Sequence, residues 1–239
     1  MIRCVKALGL LFILLLAPKI SAHSVHVRIV TEDAFPIQYM ENGMLSGPAT
    51  KLVKQVLDKS GLDYTIELFP WARAYHLAKT EPNTLIYSLA KTDIRADQFK
   101  WVGKIMALEY YFYGHKDLAI GQATPIDDLK KYRIGTVRDS AVYQYLQKNG
   151  FEKLTTVVHG RQNYNLFKQQ RIDLFPANKS SFESACQQKS YDCSALKPLY
   201  KLAFSSLELY MAFSLQTDDA VVTQVRDAYQ QVMAQQKNN

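Results

Sequence analysis

The chain reads as an α/β protein, and three features lead there. Val25-His26-Val27-Arg28-Ile29-Val30 alternates as a strand, a helical stretch follows Pro48, and Tyr64-Thr65-Ile66-Glu67-Leu68 is a second strand. That order implies a parallel pair with a right-handed crossover. The order returns later, from Arg133-Ile134-Gly135-Thr136-Val137 through two further helix–strand steps. Between these blocks lies Ser88-Leu89-Ala90-Lys91-Thr92-Asp93-Ile94-Arg95, a polar turn after the apolar run Thr84-Leu85-Ile86-Tyr87. In open α/β sheets, loops at the C-terminal strand ends are where ligands bind.

The first 22 residues carry Arg3 and Lys6, an apolar block from Ala7 to Ala17, and Ile20-Ser21-Ala22. This is the pattern of a signal peptide, with cleavage expected after Ala22. The block is too short for an ordinary membrane span. Cys4 precedes it, so no lipid anchor is expected. The exported protein is expected in the periplasm. Removing residues 1–22 lowers the formal charge from +7 to +4, with 26 basic against 22 acidic side chains. The basic residues are scattered, so no nucleic-acid partner is expected.

Two cysteines remain, Cys186 and Cys193. In an oxidising compartment they pair as a disulfide or stay as two thiols. No His or further Cys lies at ligand spacing, so no metal site is expected. Nor is a cofactor. No Gly/Ser linker, repeat or low-complexity tract divides the chain, so any two lobes must be joined by strands.

In the first block, Glu32 to Tyr39 is a loop with Phe35 before Pro36. Gly47-Pro48 starts a helix with Pro in its first turn. Leu52, Val53, Val56 and Leu57 mark its buried face, and Gly61 ends it. Pro70-Trp71 starts the next helix, which places Trp71 in its first turn beside a strand end. Phe99 to Val102 and Glu109 to Tyr113 read as strands. In the second block, Ser140 is placed to cap a helix through Val142, Tyr145 and Leu146. Leu154 to Val158 is a strand, and Gln162 to Gln170 a helix with Leu166 and Phe167 inward. Ile172 to Phe175 is a strand that ends at Pro176-Ala177-Asn178, and Ser180 to Cys186 a helix. Leu209 to Leu215 is a late strand. Val221, Val225, Ala228, Tyr229 and Val232 give the last helix its apolar face.

The Ser88–Arg95 run resembles the S-x-S-x-T-x-x-R turn of family 3 periplasmic solute-binding proteins, the polar amino acid binders of ABC importers. Ser88, Thr92 and Arg95 match, and Ala90 replaces a second hydroxyl. The resemblance extends in order over the mature chain. It implies a two-lobed α/β binding protein of type II, each lobe a βα sheet domain, with a ligand cleft between them. Lobe one is expected at 23–107 plus 209–239, and lobe two at 108–208. Arg95 is expected to clamp a ligand carboxylate, with Ser88 and Ser140 donating to it. Phe35 and Trp71 are expected against the ligand, with a core role as the alternative for each. Asp139 stands where the family has Gly. It caps the following helix or sets a negative charge beside the carboxylate. Asn178 stands where the family has an Asp that takes the ligand α-amino group. An amine is then absent, met by Glu32 or Asp139 instead, or held by Asn178 through its oxygen and a water.

The function this implies is capture of a small polar, carboxylate-bearing solute. The partner is the permease of an ABC importer or a sensor domain, and the protein is expected as a monomer. The rival is an exported enzyme on the same fold, of dehydratase or lytic type. Catalysis needs an acid or base in the cleft. Glu32, Asp139 and Asp173 are the carboxylates placed near it, and none is paired with a His.

Overall fold

The computed structural model describes residues 25–203 and 207–237. The expected signal peptide lies outside the described residues. Within them, no helix is long and apolar enough to cross a membrane.

The first sheet is built from β1 (His26–Thr31), β4 (Asp63–Leu68), β5 (Thr84–Ala90), β6 (Phe99–Leu108) and β12 (Leu207–Ser214). Its order is β4-β1-β5-β12-β6. The first three strands are parallel, and β12 runs antiparallel to both its neighbours. The second sheet contains β7 (Tyr110–His115), β8 (Ile134–Val137), β9 (Leu154–Val157), β10 (Leu174–Asn178) and β11 (Leu196–Lys201). Its order is β11-β7-β10-β8-β9, again with three adjacent parallel strands and one strand, β7, antiparallel to both its neighbours. The two sheets therefore share one plan. Glu109 alone separates β6 from β7, so the chain passes between sheets with no flexible tether. A small hairpin, β2 (Tyr39–Glu41) with β3 (Met44–Ser46), stands beside the first sheet.

Helix α1 (Pro48–Ser60) starts and stops as its sequence requires. Gly47 lies at φ 104°, and a Cβ there would come within 2.4 Å of the Ile37 carbonyl oxygen. Only glycine fits that conformation and that approach. Leu52, Val53, Val56 and Leu57 are buried, and they pack with Val221, Val225 and Ala228 of α6 (Asp219–Lys237) against the first sheet. On its other face lies α2 (Trp71–Thr80), with Ala74, Tyr75 and Ala78 against Val30, Ile86 and Phe99. The second sheet carries α3 (Ala141–Lys148), α4 (Arg161–Lys168) and α5 (Lys179–Gln187).

Two local readings need correction. The strand before the signature turn does not stop at Tyr87. It continues to Ala90 through a bulge, where Tyr87 and Ser88 oppose Met211 alone. Ser88 there takes φ 59°, a left-handed conformation that non-glycine residues hold only under surrounding constraint. Helix α4 buries Asn163 and Tyr164, whereas Leu166 and Phe167 are only partly covered. The Tyr164 ring stacks on Tyr191 at 4.0 Å, and that contact sets the helix's rotation.

Candidate functional site

The C-terminal ends of β1, β5, β8 and β10 converge on one cavity of about 360 Å³ between the two sheets. Glu32, Phe35, Trp71, Ser88, Arg95, Ser140 and Asn178 all line it.

Arg95 is the largest fully buried side chain among the described residues, at 0% exposure. Its Nη2 donates to the Asp139 carbonyl at 2.9 Å and its Nε to Gln144 Oε1 at 3.0 Å. Its guanidinium lies over the Tyr75 ring at 4.8 Å and the Trp71 ring at 5.5 Å, where the ring faces favour a cation. No carboxylate of the described residues forms an ion pair with it. Burial pulls its pKa down to about 10, while Tyr75, Asp139 and Glu32 act in the opposite sense. Arg95 therefore remains a cation at neutral pH.

Glu32 follows β1 and is its counterpart. It makes no side-chain hydrogen bond and no ion pair among the described residues. Burial in the cavity, with Asp33 beside it, pushes its carboxyl up to about 7, against the pull of Arg95. Tyr110 lies near enough to feel that charge, and burial with Glu32 raises its phenol to about 12.

Trp71 is both core and cleft. It packs with Val30 and Ala74, lines the cavity, and donates from Nε1 to the Asp139 carbonyl at 3.0 Å. Phe35 does not plug the core. It is 37% exposed at the cavity and meets Tyr39 edge-on at 4.7 Å. The Ser88 hydroxyl donates to Gln38 Oε1 at 2.9 Å. Ser140, not Asp139, caps α3: its Oγ accepts from the Tyr143 N–H at 3.1 Å.

Asp139 enters through its backbone, and its side chain is not among those lining the cavity. It sits at φ 57°, a conformation glycine takes freely and Asp tolerates better than most. That explains how Asp can stand at a glycine position, and why its carbonyl is turned toward Trp71 and Arg95. Asp173 lies elsewhere, paired with Arg133 at 2.5 Å. Arg73 stacks over Phe69 at 4.6 Å, also outside the cavity.

Asn178 is 7% exposed and caps α5. Its Oδ1 accepts from the Ser181 N–H at 2.9 Å and from the Ser180 hydroxyl at 2.8 Å. Both lone pairs of that oxygen are thus committed. The Ser181 hydroxyl in turn donates to the Phe35 carbonyl at 2.7 Å, so the lobes touch here as well. A third contact, Arg161 with Asp33 at 3.8 Å, closes the cleft rim.

Gln144 was not singled out by sequence. Its signal is spacing: it lies four residues beyond Ser140, on the same helix face. The ion pair of Asp33 and Arg161 had no such signal, because it joins residues 128 positions apart in different lobes.

Cys186 and Cys193 form a disulfide that ties the end of α5 to the loop carrying Ser190 and Tyr191, both of which line the cavity. Closing so short a loop contributes about 2–3 kcal/mol in the chain-entropy picture. Replacing both cysteines by Ser is expected to lower stability by that amount in urea denaturation. No group of three or more His, Cys, Asp or Glu among the described residues is arranged to hold a metal ion.

No protein-family model matches the chain, and no curated protein sequence matches it. Solved structures do. A histidine kinase sensor domain with similarity to periplasmic binding proteins superposes with a TM-score of 0.77 at 14% identity, over 90% of this chain and 92% of that one. An ancestral arginine-binding protein bound to arginine gives 0.74 at 16% identity, over 87% and 92%. The arginine-, lysine-, histidine-binding protein of Geobacillus stearothermophilus gives 0.72 at 15%, over 89% and 91%. At such identities the likeness establishes fold. The chain has the fold of the two-lobed periplasmic binding proteins.

Proposed function

We propose that this protein captures a small zwitterionic, amino-acid-like solute between its lobes, with the carboxylate at Arg95 and the ammonium at Glu32. One observation carries this reading. The buried Arg95 cation and the Glu32 carboxylate line the same cavity, and among the described residues neither is held in an ion pair, although each feels the other's charge. Buried charges are costly unless paired. A ligand with both charges satisfies both at once. Arginine-binding neighbours are consistent with an amino-acid-like ligand. Asn178 is a poorer ammonium site than Glu32, because it is uncharged and its oxygen already accepts two hydrogen bonds. The amine is thereby redirected to Glu32.

The lobes, taken as 23–107 plus 209–239 and 108–208, close by hinge motion at the strand crossings. Arg95, Trp71 and Ser181 hold the closed form through bonds that span the cleft. The protein works in the periplasm after cleavage at Ala22. It delivers its ligand to the permease of an ABC importer or acts as a sensor. Binding, not turnover, is the role. Recovery of the ligand unchanged by mass spectrometry, after prolonged incubation, separates capture from catalysis.

A thermal-shift screen of amino acids, amines, organic acids and short peptides tests the ligand class. A ligand at 100 times its Kd stabilises by about 2.7 kcal/mol, which raises Tm by roughly 5–10 °C for a chain of this size. Zwitterions are expected to give the largest shifts. Shifts from amine-free acids alone would remove Glu32 from the site.

A further inference from the structure

We infer that the ligand carries an aryl or other flat apolar tail that enters lobe two and ends at Asn163. This rests on the reading above and names the ligand more narrowly. The cavity does not end at the charged pair. It is lined as well by Phe175 of β10, Phe182 and Ala185 of α5, and Tyr191 on the disulfide-tied loop. The Phe182 and Tyr191 rings meet edge-on at 6.2 Å, and Phe175 and Tyr191 at 6.4 Å. Phe182 already stacks on Tyr113 at 3.7 Å and Tyr191 on Tyr164 at 4.0 Å, so the wall is rigid and offers a flat ring the apolar edges that remain. The volume of about 360 Å³ lies within the range of roughly 300–1,000 Å³ that larger small-molecule ligands fill.

Asn163 supplies the independent observation. It lines the same cavity at 2% exposure, yet its side chain makes no hydrogen bond among the described residues. Its Oδ1 is enclosed without a partner, turned toward Gly135, where a Cβ would come within 2.6 Å of it. Nδ2 is not among the enclosed orphan atoms, and Asn163 is one of the residues lining the cavity. Buried amides are nearly always hydrogen-bonded. A ligand acceptor at the tip of the tail satisfies this one. Free amino acids with short side chains leave both the ring wall and Asn163 unused.

The test is calorimetry with L-alanine, L-phenylalanine and O-methyl-L-tyrosine, and with 3-(4-methoxyphenyl)propionate as the amine-free analogue. O-methyl-L-tyrosine is expected to bind at least 10-fold tighter than L-alanine. Asn163→Leu is expected to remove its advantage over L-phenylalanine. Ala185→Phe, at a position only partly buried, is expected to bring the ratio of O-methyl-L-tyrosine to L-alanine affinity close to one. Equal binding of L-alanine and O-methyl-L-tyrosine overturns the tail and leaves the zwitterion reading standing. A preference untouched by both variants also overturns it. Binding of the propionate alone retains the tail and overturns the Glu32 contact. No binding by any of the four at millimolar concentration overturns both.

Discussion

Arg95→Ala is expected to weaken ligand binding by about 2–5 kcal/mol, which is roughly 30-fold to several thousand-fold in Kd. The side chain acts twice. It offers its remaining N–H groups to a ligand carboxylate, and it already joins the lobes through the Asp139 carbonyl and Gln144. Removing it takes the anion's partner and a closure contact together. Arg95→Lys should be nearly as harmful, because a single ammonium cannot hold Asp139, Gln144 and a carboxylate in one plane. Arg95→Met keeps most of the bulk beneath Trp71 and Tyr75 and separates charge from packing. Calorimetry reads the affinity, and circular dichroism checks that each variant folds. Unchanged affinity in Ala and Lys variants together would remove Arg95 from the site.

Glu32 gives the second large effect, through pH. Its folded pKa of about 7 lies above its ordinary value of 4.5, chiefly through burial. A raised carboxylate favours the protonated folded state. Its contribution to stability is therefore greatest below the unfolded pKa. It falls as pH rises from about 4.5 to 7, by up to roughly 3 kcal/mol. Glu32→Gln is expected to flatten that fall in urea titrations of the ligand-free protein. A ligand ammonium reverses the sign, because it selects the ionised form. Affinity for a zwitterion is expected to rise nearly 10-fold per pH unit below about 7 and to level off above it. In Glu32→Gln that slope should vanish and the affinity should drop to its low-pH level. A ligand whose affinity falls through the same window carries no cation at Glu32.

The strand–helix order was legible because it rests on local pattern. Leu52, Val53, Val56 and Leu57 do form the inner face of α1, and the apolar residues chosen for α6 face the sheet, Tyr229 only partly covered. The turn carrying Arg95 was legible through motif. Conformations set by tertiary packing were not. Ser88 and Asp139 both take positive φ, and nothing local demands it. Asn163 was passed over because an apolar pattern cannot register a buried amide. The bonds from Trp71 and Arg95 to one carbonyl in the other lobe follow from how the sheets face each other, which spacing along the chain does not encode. Asn178 was read as a ligand group, and the structure adds that its oxygen is held by the helix it caps.

The central claim is that one cleft reads two opposite charges. Calorimetry with three matched compounds tests it most directly: the amino acid giving the largest thermal shift, its decarboxylated amine, and its deaminated acid. The account predicts that the amino acid binds at least 100-fold tighter than either singly charged analogue, and that Arg95→Met removes its advantage over the amine. An amine that binds as tightly as its parent amino acid would contradict the account, for then no carboxylate is held at Arg95.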